Sequence, residues 1–259
     1  MVKQKVLWVC FVLLILAVPA VQAGADDVDT KERGVEWVKD YSGNPDGWGN
    51  LANTKDDAES FYNALGNLGW RRVFDYGDAL TWESDFEKSS VGGSDATYID
   101  GLDFAYFSGH GTPTGFIFGT NHDGDGSQTY RVHFSEANWG DLDLEWIVLS
   151  ACQVLQYDDP AGNVFNRWGY PVFKGLHMIL GYDTVAQDSV IGGTFVNYMT
   201  TGGRKIKDAW TQANIDIQPS WAYSAYLRGC NNDEWLPGYG SQGPDDDTGS
   251  CLVWARVQS

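Results

Sequence analysis

Two residues in this chain have the type and the setting to do chemistry, and each follows a short apolar run. Leu102-Asp103-Phe104-Ala105-Tyr106-Phe107 leads into Ser108-Gly109-His110-Gly111, and Trp146-Ile147-Val148-Leu149 leads into Ser150-Ala151-Cys152-Gln153. A thiol beside an imidazole is a nucleophile with its base, because the imidazole takes the thiol proton and stabilises the thiolate. The sulfur would add to a carbonyl to give a thioester, and the imidazolium would hand its proton to the leaving group. This is hydrolase chemistry and requires no cofactor. The plainer readings are an inert core thiol, since free cysteine is among the most buried residues, and a structural imidazole at a turn.

Short apolar runs that stop at small residues read as buried parallel strands whose C-terminal ends face a crevice. Side by side, these two would bring His110 and Cys152 to one rim of a sheet. The flanking sequence supplies the alternation that a parallel sheet needs. Val35–Val38 reads as a strand. Asp56–Leu68 reads as an amphipathic helix with Ala58, Phe61, Ala64, Leu65 and Leu68 on one face. A strand at Arg72–Tyr76 and a short polar helix at Thr81–Ser89 follow. Gly115–Gly119 and Thr129–Phe134 look like a hairpin, Leu176–Tyr182 is a further core strand, and Ser189–Thr200 and Ile206–Ile215 read as helices. The expectation is an α/β three-layer sandwich, a mainly parallel sheet flanked by helices. The runs Ala222–Leu227 and Leu252–Val257 would form a C-terminal strand pair, an appendage or an extra antiparallel edge.

The first residues have the form of a secretion signal: Lys3 and Lys5, an apolar core from Val6 to Val18, and Val21-Gln22-Ala23 before Gly24. An uncleaved anchor is the alternative. Cleavage would leave residues 24–259 as a single domain with its core at about 35–215. Losing Lys3 and Lys5 takes the formal net charge from −18 to −20, a surface that repels nucleic acid and anionic membranes. Cys10 would leave with the signal, so Cys152, Cys230 and Cys251 remain. Outside the cell thiols tend to pair. Joining Cys230 to Cys251 closes a hydrophilic loop between strand-like runs, and Cys152 is then the odd thiol.

The His-Gly and Ala-Cys strand ends resemble the motifs of the caspase–gingipain–legumain superfamily of cysteine peptidases, over roughly Val35 to Ile215. Their separation of 42 residues is near the spacing of about 50 found in caspases. The strand–helix continuation from Leu176 to Trp210 looks closer to gingipain-like and CHAT-type members than to caspases proper. The resemblance implies a caspase–hemoglobinase-like fold, Cys152 as nucleophile and His110 as base. It also implies an oxyanion hole from the backbone N–H groups of Gly111 and Cys152. Glycine at position 111 suits close approach of a substrate backbone. In gingipain-like relatives an acidic residue near the site selects Arg or Lys, which makes Asp183 and Asp188 candidates for the substrate pocket. The same carboxylates also suit a helix cap and first turn. Val154 departs from the glycine found in caspases after the residue that follows the cysteine.

Asn121-His122-Asp123-Gly124-Asp125-Gly126 imitates the start of a calcium loop, with Asn121, Asp123 and Asp125 as oxygen donors. Position twelve is Val132 rather than Glu, and an Asp/Gly-rich turn explains the same letters. His122 and His133 beside His110 and Cys152 match no standard zinc spacing. The sequence thus points to a secreted cysteine endopeptidase acting on a peptide or protein. The alternative is a catalytically silent secreted binding module of the same fold. Nothing in the sequence fixes an oligomeric state.

Overall fold

The computed structural model describes residues 31–259 apart from 125, 127, 128 and 246–248. The expected signal segment and Asp125 lie outside the described residues. Twelve strands and three α-helices follow in the order β1 (Glu32–Trp37), α1 (Thr54–Asn67), β2 (Arg71–Gly77), β3 (Phe104–Ser108), β4 (Gly111–Thr112), β5 (Gly115–Ile117), β6 (Arg131–His133), β7 (Trp146–Ser150), β8 (Asp158–Asp159), β9 (Gly162–Asn163), β10 (Met178–Tyr182), α2 (Gly192–Met199), α3 (Ile206–Ile217), β11 (Tyr223–Gly229) and β12 (Leu252–Gln258). Seven strands make the main sheet, in the order β12-β11-β10-β7-β3-β1-β2. β2, β1, β3, β7 and β10 run parallel, and β11 and β12 continue the sheet antiparallel. The C-terminal pair is therefore the sheet's antiparallel edge.

Strict alternation along the central strands divides the core in two. Phe104 and Tyr106 of β3, Trp146 and Val148 of β7, and Met178 and Leu180 of β10 pack with α1, α2 and α3. Ala105, Phe107, Ile147, Leu149 and Ile179 pack on the opposite side. With both faces apolar, these strands must be covered twice. The three α-helices lie side by side on one face, α2 between α1 and α3. The other layer is built from single-turn 3-10 helices, including Glu83–Asp85 and Ile99–Gly101, from a π-helical turn at Phe165–Gly169, and from the β4–β5–β6 sheet. The three-layer sandwich is thus formed, although its second helical layer is short turns.

Helix α1 owes its place to both of its ends. Asp56 and Asp57 stand in its first turn, where a carboxylate meets the positive end of the helix dipole. Gly69, at φ +88°, takes the left-handed conformation that ends helices at little cost. The polar stretch at Thr81–Ser89, expected as one helix, breaks into separate turns because Glu83, Asp85 and Phe86 all point inward. The hairpin of the sequence reading gains a third strand, β4, which pairs Gly111 with Phe116.

Candidate active site

β3 and β7 are adjacent, and their register pairs Ser108 with Ser150 at the C-terminal ends. Two residues beyond these serines, His110 and Cys152 line one cavity of about 330 Å³. The parallel strands branch to opposite sides after β1, with β2 on one side and β3 on the other. Such a reversal opens a crevice at the C-terminal ends. The loop after β1 fills part of it and supplies the groups that hold His110. Gly49 O lies 2.7 Å from Nε2 of His110. A carbonyl only accepts, so Nε2 carries the proton and Nδ1 keeps its lone pair. Tyr41 Oη accepts the His110 N–H at 2.8 Å. The Tyr41 and Trp48 rings flank the imidazole at centroid distances of 4.6 and 4.9 Å.

Cys152 is half-buried, with its Sγ facing Ala186 of the loop after β10. The Ala186 N–H donates to the sulfur at 3.3 Å, and the thiol reaches Ala186 O at 3.6 Å. Burial raises the thiol's pKa above its ordinary value, and the Asp188 charge adds to the rise against the Ala186 N–H. Burial also lowers the imidazole's pKa, opposed by the Gly49 carbonyl and Asp188. Both shifts favour the neutral forms of the two groups. The next residue, Gln153, sits at φ +61°. Backbone strain of this kind in a non-glycine residue clusters at functional sites.

Gly111 is required by the fold itself. A Cβ there would lie 2.7 Å from Cys152 O and 2.8 Å from the Ala151 Cβ. Within the chain the close approach comes from the turn bearing the thiol. The Ile117 N–H donates to His110 O at 2.9 Å, so by antiparallel alternation Gly111 faces Phe116 at a position where the ladder does not use its N–H.

Beneath the cavity lies a group that sequence reading missed. Asp57 of α1 is 1% exposed. Its Oδ2 accepts from Tyr106 Oη at 2.9 Å, Ser108 Oγ at 3.0 Å and Ser150 Oγ at 2.9 Å. Its Oδ1 accepts the N–H groups of Ile191 and Gly192, at 2.7 and 2.9 Å, where α2 begins. One carboxylate thus joins α1, α2 and both strands that lead to His110 and Cys152. Burial raises its pKa, against those hydrogen bonds. The available signal was an acidic residue four positions before Phe61, on the apolar stripe of α1.

The two pocket candidates separate. Asp188 lines the cavity, and its Oδ2 accepts the Ala52 and Asn53 N–H groups at 2.6 and 3.0 Å, at the start of α1. Asp183 is 4% exposed, is ion-paired to Arg256, and accepts the Tyr157 N–H at 2.8 Å. It lines a neighbouring depression instead, which shares Gln153 and Val185 with the cavity. In the proposed calcium loop, Asn121 Oδ1 accepts the Asp123 N–H at 3.2 Å, and Thr129 Oγ1 donates to Asp123. Glu83 and Glu87 hold that loop through the His122 and Gly124 N–H groups, each at 2.8 Å. His122 stacks on Trp82, and His133 contacts Ser135; neither lines the cavity. Cys230 and Cys251 form a disulfide, leaving Cys152 as the free thiol among the described residues.

The model of the family described as "Domain of unknown function (DUF6345)" matches residues 35–259, and the chain belongs to that family. No curated protein matches it significantly. Among solved structures it is similar to the Arg-specific cysteine proteinase gingipain R, at 13% identity and a TM-score of 0.44. That match covers 71% of this chain and 42% of the other, so it spans less than half of the gingipain chain.

Proposed function

We propose that this member of the DUF6345 family is a cysteine peptidase in which Cys152 attacks and His110 serves as base and then acid. The observation that carries the reading is the convergence of both side chains on one cavity from paired strand ends, with the imidazole oriented by Gly49 O. The Nε2–H bond leaves Nδ1 as the basic nitrogen. In the proposed reaction Nδ1 takes the thiol proton as sulfur bonds to the substrate carbonyl carbon. The oxyanion would meet the N–H groups of Gly111 and Cys152, and collapse would expel the amine with the proton from His110. Water then hydrolyses the thioester, with His110 again as base. The shifts of both groups toward their neutral forms suit general-base attack better than a preformed ion pair.

Asp188 is the acidic side chain on the cavity wall, which supports a preference for a basic residue before the cut. A disulfide-bonded chain suits work outside the cell, and secretion through the N-terminal signal belongs to this reading. Among the described residues no helix is long and apolar enough to cross a membrane. Peptide-library cleavage by the mature chain tests the proposal. Cys152→Ala and His110→Ala should each lower the rate by at least about a thousandfold while leaving thermal unfolding within a few degrees. The raised thiol pKa favours a second reading, a binding module with an unreactive cysteine. Labelling of Cys152 by iodoacetamide that is slow and indifferent to His110→Ala, together with no cleavage, would select it.

A further inference from the structure

The cavity holding His110 and Cys152 continues into the depression that Asp183 lines. Gln153 and Val185 belong to both, and Gln153 directly follows Cys152. The depression is the larger of the two, at about 730 Å³, with room for a ring and the backbone that bears it. Its far wall comes from the antiparallel edge of the sheet: Trp221 stands two residues before β11, and Trp254 and Arg256 lie on β12. Aromatic rings dominate that wall. Trp221 is 54% exposed and Tyr157 is 40% exposed, and the Tyr157 and Trp254 rings meet at a centroid distance of 4.9 Å. Hydrogen bonds anchor two of these three residues. The Tyr157 N–H donates to Asp183 Oδ1 at 2.8 Å, and Trp254 Nε1 donates to Leu155 O at 3.0 Å. Single exposed aromatics are ordinary, but several around one concavity mark a binding site.

The polar groups around the rings decide what kind of ligand fits, because they are committed to one another. Gln153 Nε2 donates to Gln156 Oε1, and Gln156 Nε2 donates to Asp158 O, both at 2.8 Å. Asp183 and Arg256 neutralise each other as an ion pair, and the guanidinium also lies over the Tyr223 ring at 4.8 Å. The exposed Asp158 carboxylate disfavours an acidic ligand, and the Arg256 guanidinium opposes a basic one. A sugar would have to take amides that already hold each other. What stays open is ring surface, which suits a flat, uncharged group.

The strand order places this depression relative to the bond that would be cut. Cys152 follows β7, which lies between β1 on one side and the β11–β12 edge on the other. Asp188, the acidic wall assigned to the residue before the cut, is held at the start of α1, the helix that follows β1. The depression lies on the other side of Cys152, toward the edge, and so faces the part of a substrate that leaves. We propose that Tyr157, Trp221 and Trp254 bind an aromatic side chain carried by the first or second residue after the cleaved bond. This substrate preference rests on the peptidase reading of Cys152 and His110. It also gives Asp183 a role beside the site, because its carboxylate holds the Tyr157 backbone and neutralises Arg256.

The test uses the mature chain and blocked peptides with arginine before the cut and either phenylalanine or alanine at the two positions after it. Phenylalanine at one of those positions should raise kcat/KM at least about tenfold over alanine. Trp221→Ala should bring that ratio close to one, and Trp221→Phe should restore most of it. Tyr239→Ala, which removes an exposed aromatic outside the depression, should leave the ratio as it is. Calorimetric binding of the same peptides to Cys152→Ala separates this proposal from the peptidase reading. The phenylalanine peptide should bind at least about tenfold more tightly than the alanine peptide, and adding Trp221→Ala should remove the difference. Cleavage of neither peptide, with that binding difference intact, would sink the peptidase reading and support the depression as the aromatic site. The proposal is overturned by equal rates and affinities for the two peptides, or by no binding of the phenylalanine peptide. It is equally overturned by a preference that survives Trp221→Ala, or by one lost just as fully in Tyr239→Ala.

Discussion

Asp57 offers the sharpest test of how β3 and β7 are held. Its carboxylate receives five hydrogen bonds, three from hydroxyls and two from backbone N–H groups. The two kinds of donor respond differently to its loss. In Asp57→Ala, the Tyr106, Ser108 and Ser150 hydroxyls can rotate toward one another, so part of their hydrogen bonding survives. The Ile191 and Gly192 N–H groups are fixed by the backbone and lose their acceptor. An unsatisfied buried donor costs about 1–3 kcal/mol. With some relaxation and a small cavity, Asp57→Ala should lose about 3–5 kcal/mol, out of a total stability of about 5–15 kcal/mol. At about 2–4 °C per kcal/mol for a chain of this size, Tm should fall by roughly 10 °C.

Asp57→Asn separates acceptor geometry from charge. Its Oδ1 can still accept from Ile191 and Gly192, and its amide can donate to the rotating hydroxyls. The loss should be about 1–2 kcal/mol, the difference between charged and neutral acceptors. Burial of the ionised form opposes that loss, since it raises the Asp57 pKa. Differential scanning calorimetry of the wild type, Asn and Ala proteins in one buffer gives the ordering directly. Because Asp57 touches neither His110 nor Cys152, Cys152 labelling in Asp57→Asn should stay within a few-fold of wild type. A Tm change under about 2 °C for Asp57→Ala, or Asn as damaging as Ala, would refute the reasoning.

Four further perturbations probe separate parts of the molecule. Gly111→Ala places a methyl 2.7 Å from Cys152 O, so peptide turnover should drop at least about tenfold with a Tm loss of only a few degrees, measured on the same sample. Reducing Cys230–Cys251, which closes a separation of 21 residues, should cost about 3 kcal/mol, seen as a lower Tm in reductant that Cys152→Ala does not alter. Asp188→Asn removes a charge that raises the Cys152 pKa, so the midpoint of iodoacetamide labelling against pH should move down. In EDTA, stability should fall between pH 5 and 8. Burial lifts Asp85 to about 6 and Asp95 to about 7, above their unfolded values, so their contribution is complete below about pH 4 and is lost as pH rises through 6–7. A Tm that is flat or rising over that range would contradict this.

That His110 and Cys152 meet at one cavity was legible because the signal is local. Each residue ends an apolar run, and parallel pairing of two such runs leaves little freedom over where their ends meet. The groups that hold His110 and the two strand ends come from elsewhere in the chain and carry no pattern of their own. Gly49 acts through a backbone carbonyl, which any residue possesses, and it lies in a turn of Gly, Asn, Asp and Pro that reads as plain loop. Asp57 reads as a first-turn acid, a common helix feature, and only the approach of α2 shows why it is buried. Asp183 and Asp188 lie five residues apart yet serve different structures, Asp183 pairing with Arg256 of the C-terminal edge and Asp188 capping α1. Their separation depends on where β12 lies, and the strand order of a sheet is not written in a single sequence. The polar stretch Thr81–Ser89 has helical length but carries three inward-pointing side chains in four positions, a spacing no single helix face can satisfy.

The position of these polar groups follows from what parallel pairing alone leaves undetermined. β3 and β7 are apolar on both faces, so hydrophobic burial alone would tolerate a slip of one strand against the other. Such a slip would carry His110 and Cys152 about 3.3 Å out of step. It would also separate Ser108 from Ser150 at one end, where both hydroxyls reach the same Asp57 oxygen. At the other end it would break the bonds from the Glu145 and Trp146 N–H groups to Asp103 O. Each of these contacts is directional and buried, so a shifted register would leave donors unmet at both ends together. Buried polar groups that add little net stability can still select one register, because the alternatives bury the same groups without partners. The alignment of a thiol with an imidazole across two strands therefore rests on carboxylate and carbonyl oxygens that never touch either one.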